Sequence, residues 1–380
     1  MSDELEMIMK QASDFAAEHI AARPGLSSST LFPFDLWQKF GSSGLLAVGI
    51  PEDFGGQGLG YAGIGAAGRA LARSGFCLGI TLSWLMHQIV ARFIMTSFGS
   101  DLQKGEILPG MAEGAVTSCI AISEPGVGGH PKHLRTAAVK TDGGYLLTGE
   151  KTYLTNGPIA DLYIVLAISA HEGEKKRYSA FIVPRDAPGL KVGDPIDFGF
   201  LRPCPHGGIV LNKCIVPPES LIGTLGDAYE AMVLPFRDIE DTTMMSPILG
   251  AEEARLDEVA SALRTSDSNV SEDITFRLGG IISTLSILDL TACEASRRLD
   301  DGEDPAGLVD LILAFRHIRS QVSRELEEVV SISGMVLSGP YQALTNDLDH
   351  IGSFAARVGR LRQIKLGKAL MPPGNDTLRG

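Results

Sequence analysis

Ala121-Ile122-Ser123-Glu124-Pro125-Gly126-Val127-Gly128-Gly129 and, further on, Gly149-Glu150-Lys151-Thr152-Tyr153-Leu154-Thr155-Asn156-Gly157 carry the reading of the whole chain. Glycine frees the backbone dihedrals and proline fixes them, so bare amides at Gly126, Gly128 and Gly129 can come close to a flat or phosphorylated ligand. Gly144–Gly149 and Asp161–Ala167 read as short β-strands flanked by turn residues, which seats these loops on a sheet.

Upstream, residues 3–111 read as mainly helical. Leu5, Ile8, Met9, Ala12, Phe15, Ala16 and Ile20 recur at helical spacing, and Leu31–Trp37 opens a second helix. The glycine-dense loop Pro51–Gly60 lacks both the preceding strand and the spacing of a dinucleotide turn. Tyr61–Phe98 reads as two apolar core helices broken near Ser74-Gly75. His87, on the second, has no metal-type residue at i+3 or i+4 and reads as a core histidine.

Residues 117–222 are strand-rich, with candidates at 118–122, 138–140, 145–148, 162–167, 179–183, 190–192 and 208–216, and predict a small β-barrel or sandwich. Helices return at Ala228. Tyr229–Leu263 is nearly continuous, with boundaries at Pro235 and Pro247 and a break at Ser266–Glu272; Ile274–Leu299, Pro305–Ser333 and Ser353–Met371 complete a bundle. The segregated order gives an α+β class with three domains, residues 1–116 helical, 117–225 β and 226–371 a helix bundle, before a polar tail at 372–380 that reads as disordered.

The composition is that of an ordinary globular protein, 44% hydrophobic and 21% charged over 380 residues. A net charge of −13 argues against broad binding to nucleic acid or an anionic membrane, which needs clustered Lys and Arg. Cys77, Cys119, Cys204, Cys214 and Cys293 are scattered and odd in number, so they read as buried free thiols. The acidic opening Met1–Glu6 is unlike a secretory leader and no run suggests a membrane span, so a cytoplasmic enzyme is expected.

The quoted loop resembles the T-E-P-x-x-G-S-D segment of the acyl-CoA dehydrogenase family, and the second stretch resembles its G-x-K-x-W-I-T-N-G strand. Gly44-Leu45-Leu46, Pro51–Gly56, Phe98-Gly99-Ser100 and Leu108-Pro109 resemble the family's helical N-terminal domain in the same order, and the likeness covers roughly residues 4–371. It implies helices, a middle β-barrel and a C-terminal four-helix bundle, with FAD as cofactor. Ile122, Ser123, Tyr153 and Thr155 would then lie against the flavin ring, with Gly128 and Gly129 also binding the cofactor. The sequence departs from the family at Gly129, which replaces a Ser serving the cofactor or CoA, and at His130, which replaces an Asp.

Dehydrogenating an acyl thioester between Cα and Cβ needs a base for the α-proton and a hydride acceptor. The position that carries the base in most of the family falls at about Ala356, which has no carboxylate. The branch that includes isovaleryl-CoA dehydrogenase places its Glu earlier, in L-D-x-E-R, where this chain reads Arg237-Asp238-Ile239-Glu240-Asp241. Glu240 is therefore the candidate base, with a solvated helix carboxylate as the alternative; the resemblance also implies that its backbone amide polarises the thioester. Gly129, Asp238 and Asp241 are the candidate substrate contacts, Asp241 replacing an Arg.

On the adenosine side Arg264 and Gly334 are the candidates, although surface charge and a helix C-cap are the readings the residues favour. His206, in Pro203–Gly208, could line a pocket, but a lone His beside a lone Cys in a turn reads first as a turn residue. The resemblance implies an acyl-CoA substrate, an electron-transfer flavoprotein as acceptor and a homo-oligomer, tetramer or dimer. The alternatives are a catalytically degenerate subunit paired with an active paralogue, and a flavin monooxygenase on the same fold.

Overall fold

The helical spacing at the N-terminus closes into α1 (Asp3–Ala16), where the Ser2 hydroxyl accepts from the Leu5 amide and Ile8, Ala12, Phe15 and Ala16 turn inward. The computed structural model describes residues 2–265 and 270–371, without the side chains of 354–357. The expected disordered tail, part of the Ser266–Glu272 break and the Ala356 side chain thus lie outside the described residues. After α1 come α2 (Phe34–Ser42), α3 (Gly60–Gly75), α4 (Leu78–Ile89), α5 (Thr96–Phe98) and α6 (Asp101–Glu113). Ser100 and Gln103 form a capping box at the start of α6, and Gly114 ends it in the left-handed region at φ 78°.

The strands β1 (Ser118–Ala121), β2 (Ala137–Thr141), β3 (Gly144–Thr155), β4 (Leu162–Glu172), β5 (Lys175–Pro184), β6 (Leu190–Val192), β7 (His206–Val216) and β8 (Leu221–Ile222) form one eight-stranded sheet. Its order is β6-β7-β3-β2-β4-β5-β8, with β1 parallel to β4. Strand alternation sorts the side chains between two cores. Tyr163, Val165, Ala167, Phe181 and Val183 fill a small core of the sheet's own, while Ile164, Leu166, Ile168, Ala180 and Ile182 join the large core shared with the helices.

The C-terminal part contains α7 (Leu234–Thr243), α8 (Met245–Thr265), α9 (Glu272–Asp300), α10 (Val309–Ser333) and α11 (Gly339–Ala369). The last helix was expected only from Ser353. It begins at Gly339 because Ser338 caps the Tyr341 amide at 3.2 Å, Pro340 is tolerated in a first turn, and Tyr341, Leu344 and Leu348 are buried at helical spacing. The N- and C-terminal helices pack directly on each other through glycine: a Cβ on Gly250 would stand 2.2 Å from the Arg69 carbonyl oxygen, and one on Gly68 3.0 Å from Pro247.

His87 is fully buried, with Nε2 3.0 Å from the Met111 carbonyl oxygen and its ring edge-on to Trp37, and burial lowers its pKa to about 4. It is the core histidine expected. Cys293, expected to be buried, is exposed. Against the expectation of no spanning-length run, Leu78–Phe98 and Glu272–Asp300 are long and apolar enough to cross a membrane; the first is almost wholly buried in the core and the second largely uncovered.

Candidate active site

The paired segments of the sequence meet on one platform. Lys151, fully buried, donates to the Ile122 carbonyl at 2.9 Å and to the Glu124 carboxylate at 3.0 Å. Glu124 also accepts from the Arg135 and Thr136 amides, at 2.7 and 2.9 Å, which closes the glycine loop back onto the sheet. Burial lowers the Lys151 pKa to about 8 against the pull of Glu124. Burial works to raise that of Glu124, yet the Lys151 charge and the Thr136 hydrogen bonds outweigh it and hold the carboxyl below its usual value. The Thr152 amide donates to the Ser123 carbonyl at 2.9 Å, so Ile122-Ser123 lies alongside β3.

The β3–β7 register slips between Lys151 and Leu154, and at this bulge Tyr153 takes φ 60°. A left-handed tyrosine costs on the order of 1–3 kcal/mol, and such strain clusters at functional sites. The ring is 53% exposed and faces Phe198 at 5.9 Å. Phe198 in turn packs against Phe200 and edge-on to His206 at 5.0 Å.

A cavity of about 1130 Å³ opens over this aromatic wall. Ligand pockets commonly hold roughly 300–1,000 Å³, so this one has room for a ligand of more than one part. The sheet contributes Tyr153, Thr155 and His206; α7 contributes Arg237, Glu240 and Asp241 at i, i+3 and i+4, and Met244, its C-cap, follows at i+7. The opposite face of α7 buries Phe236, Ile239 and Thr243. That division explains why a helix so rich in acid is amphipathic, and it turns Glu240 inward.

The Glu240 carboxylate has no hydrogen-bond partner among the described residues. Burial first and Asp241 second raise its pKa to about 7, with Arg237 opposing. Glu240 is half-buried and faces the cavity, between a buried acid and the solvated helix carboxylate of the alternative. Its backbone amide lies inside α7, where a helical N–H is committed to the carbonyl four residues back, and so is not free to polarise a substrate as the resemblance implied.

The flanking acids are engaged. Asp241 pairs with Arg316 at 2.6 Å and with Arg362 at 3.1 Å, and Asp238 with Arg362 at 2.5 Å, which joins α7 to α10 and α11 beside the cavity. Burial raises the Asp238 pKa, against Arg362. Arg264 is exposed at the end of α8 and Gly334 caps α10 at φ 64°; neither lines the cavity of this chain.

Arg237, Arg316, Arg362, Phe198 and Phe200 join the site without a role expected from the sequence, and His206 takes the pocket-lining alternative over the turn. His206 is buried, with Nδ1 3.1 Å from the Cys204 carbonyl oxygen, and burial lowers its pKa to about 4, leaving a neutral ring on the cavity. The available signal was the aromatic pair Phe198-Gly199-Phe200 in a stretch otherwise dense in turn residues.

The sequence model of the acyl-CoA dehydrogenase N-terminal domain matches residues 2–115, and that of the middle domain residues 119–214. An acyl-CoA dehydrogenase of Bacillus subtilis (strain 168) is 31% identical over 258 residues, 68% of this chain and 67% of that protein. The chain belongs to the acyl-CoA dehydrogenase family. As an acyl-CoA dehydrogenase family member it is an FAD-dependent oxidoreductase. A mitochondrial isovaleryl-CoA dehydrogenase of Oryza sativa subsp. japonica is 26% identical over 373 residues, 96% of this chain and 90% of that one. The solved butyryl-CoA dehydrogenase of Megasphaera elsdenii has the same fold, with a TM-score of 0.87 at 20% identity over 98% of this chain and 99% of that one. The residues present fit FAD: the strained, outward Tyr153 and Thr155 share the cavity, and at Gly126 and Gly128, left-handed at φ 75° and 59°, nothing lies within 4 Å of an added Cβ, while the Gly128 amide and carbonyl pair with Glu124.

Proposed function

We propose that the protein dehydrogenates an acyl-CoA thioester to the 2,3-enoyl thioester, with Glu240 as the base that removes the α-proton. The observation carrying this is the placement of Glu240, a carboxylate without a hydrogen-bond partner among the described residues, in the cavity lined by Tyr153 and Thr155. When bound, FAD supplies the hydride acceptor for Cβ. Glu240 takes the proton from Cα, and a pKa of about 7 lets it be ionised at neutral pH yet basic enough to hold that proton. Phe198, Phe200 and Leu201 bound one side of the cavity with apolar surface, which favours an acyl chain.

Support for a CoA carrier is the family itself. An electron-transfer flavoprotein is the proposed acceptor. Phe276, Ile282, Ile287 and Leu290, all exposed on α9, favour a homo-oligomer that covers them. Ile122, Ser123, Gly128, Gly129, Tyr153 and Thr155 are the proposed flavin contacts, with Arg264 and Gly334 toward the adenosine.

Anaerobic mixing of the FAD-loaded protein with a panel of straight-chain, branched and dicarboxylic acyl-CoA thioesters tests this reading. One of them should bleach the flavin and yield its enoyl product; a panel that leaves the flavin oxidised throughout counts against it. A second reading, a catalytically degenerate subunit, is favoured by Asp241, a carboxylate tied to two arginines where the family motif has an Arg. A colourless protein purified alone, unable to take up added FAD, would select it.

A further inference from the structure

Removing an α-proton from a thioester leaves its electron pair with the carbonyl, and the oxygen that receives the charge needs a hydrogen-bond donor. The Glu240 amide, spent inside α7, is not that donor. Among the arginines of the cavity, Arg316 and Arg362 hold carboxylates, and Arg319 turns to the Leu348 carbonyl at 3.1 Å and to Glu252 at 3.6 Å. Arg360 is exposed on α11. Arg237 lines the cavity about one helical turn before Glu240, on the same face of α7, and makes no ion pair among the described residues.

Arg237 is fixed without being spent. Its Nη2 donates to the Gly129 carbonyl at 2.7 Å, and its guanidinium lies over the Tyr229 ring at 5.9 Å. A Cβ on Gly129 would stand 2.7 Å from that nitrogen, so the bare glycine is what admits the guanidinium. Nε and Nη1 have no protein partner among the described residues and are not buried orphans, which leaves donors for a ligand. The charge is close enough to Glu240 to pull its pKa down against burial. Residues at i and i+3 of a helix stand roughly 5–6 Å apart at Cβ. That spacing suits two groups acting on adjacent atoms, one on a carbonyl oxygen and one on the hydrogen of the neighbouring carbon.

We propose that Arg237 is a second catalytic residue, donating to the thioester carbonyl oxygen while Glu240 takes the α-proton. The Cα–H bond breaks, its proton passes to the Glu240 carboxylate, and its electron pair forms the enolate, whose oxygen charge develops beside the guanidinium. The pair returns to make the Cα–Cβ double bond as hydride leaves Cβ. A cation already anchored at Gly129 and Tyr229 needs no reorganisation as that charge appears. This rests on the thioester reading above.

Acetyl-CoA has α-protons but no β-carbon, so deuterium entry from D2O on the FAD-loaded protein, followed by mass spectrometry, reads proton removal alone. Loss of an oxyanion donor predicts exchange slower by about 10²–10³-fold in Arg237→Met, with partial recovery in Arg237→Lys. The pH inflection of the residual exchange should move upward in the Met variant and stay in place in the Lys variant, because the cation that opposes burial at Glu240 is gone from the first alone. Exchange at the wild-type rate in Arg237→Met, while Glu240→Gln abolishes it, overturns this proposal and leaves the base in place. No exchange in wild type, or undiminished exchange in Glu240→Gln, removes the thioester reading and this proposal with it.

The wild-type protein carries a second test, independent of how the variants fold. The infrared carbonyl band of carbonyl-labelled acetyl-CoA should lie at lower frequency when bound than when free in water, since a charged donor polarises the bond more than water does. A bound band at its frequency in water overturns the proposal.

Discussion

Glu240 and Lys151 show how burial sets the charge state of single residues. With a pKa of about 7, Glu240 predicts that kcat/KM rises with pH through an inflection near that value. The folded pKa lies above that of an unfolded glutamate, so the folded state holds the extra proton and stability falls as pH climbs from the ordinary glutamate value toward 7. Lys151→Met removes the cation from a Glu124 that is 5% exposed. It should cost about 2–4 kcal/mol in urea unfolding and weaken FAD binding, because the loop from Ile122 to Thr136 loses its tie to β3. An unchanged midpoint and flavin affinity would remove Lys151 from the account. Glu240 was legible in the sequence through its motif; its environment was not. Arg316 and Arg362 reach Asp241 from α10 and α11, far away in sequence, and no local pattern announces such pairs.

At the scale of elements, the bulge in β3 and the two faces of α7 position the chemistry. Tyr153→Asn puts a residue that tolerates the left-handed region at φ 60°. Thermal melts of the FAD-free protein should show stability unchanged or raised by up to about 1 kcal/mol, while flavin affinity falls. Equal flavin affinity would mean that the strain serves something else. Strand and helix positions were largely readable, since alternation in β4 and β5 and the 3.6-residue period elsewhere are strong signals. The start of α11 was missed because Gly339-Pro340 looks like a turn, and only the Ser338 cap with buried Tyr341 and Leu344 reveals a helix N-terminus. Phe198 and Phe200 were missed for a related reason. They sit in a loop, and loops carry function without periodicity.

For the whole molecule, the order helix, sheet, helix was plain from composition shifts, but the sharing of one large core among all three segments was not. Ile20 and Leu71, Ile164 and Ile182, and Leu249 and Leu288 all belong to it. Arg69 helps hold the halves together, pairing from α3 with Glu253 on α8 at 2.5 Å and with Asp289 on α9 at 2.6 Å. Arg69→Met leaves a Glu253 that is 9% exposed with only Arg73, at 3.7 Å, and should cost about 1–3 kcal/mol, seen as one cooperative transition at lower denaturant and not as separate melting of the helical parts. Two resolved transitions would contradict the shared core. The central claim is that the whole frame holds the Glu240 carboxylate at the cavity as its base, and its most direct test is single-turnover flavin reduction by a thioester substrate in wild type and in Glu240→Gln. Removing a general base should slow bleaching by about 10²–10⁴-fold with FAD still bound; bleaching at the wild-type rate would contradict the account.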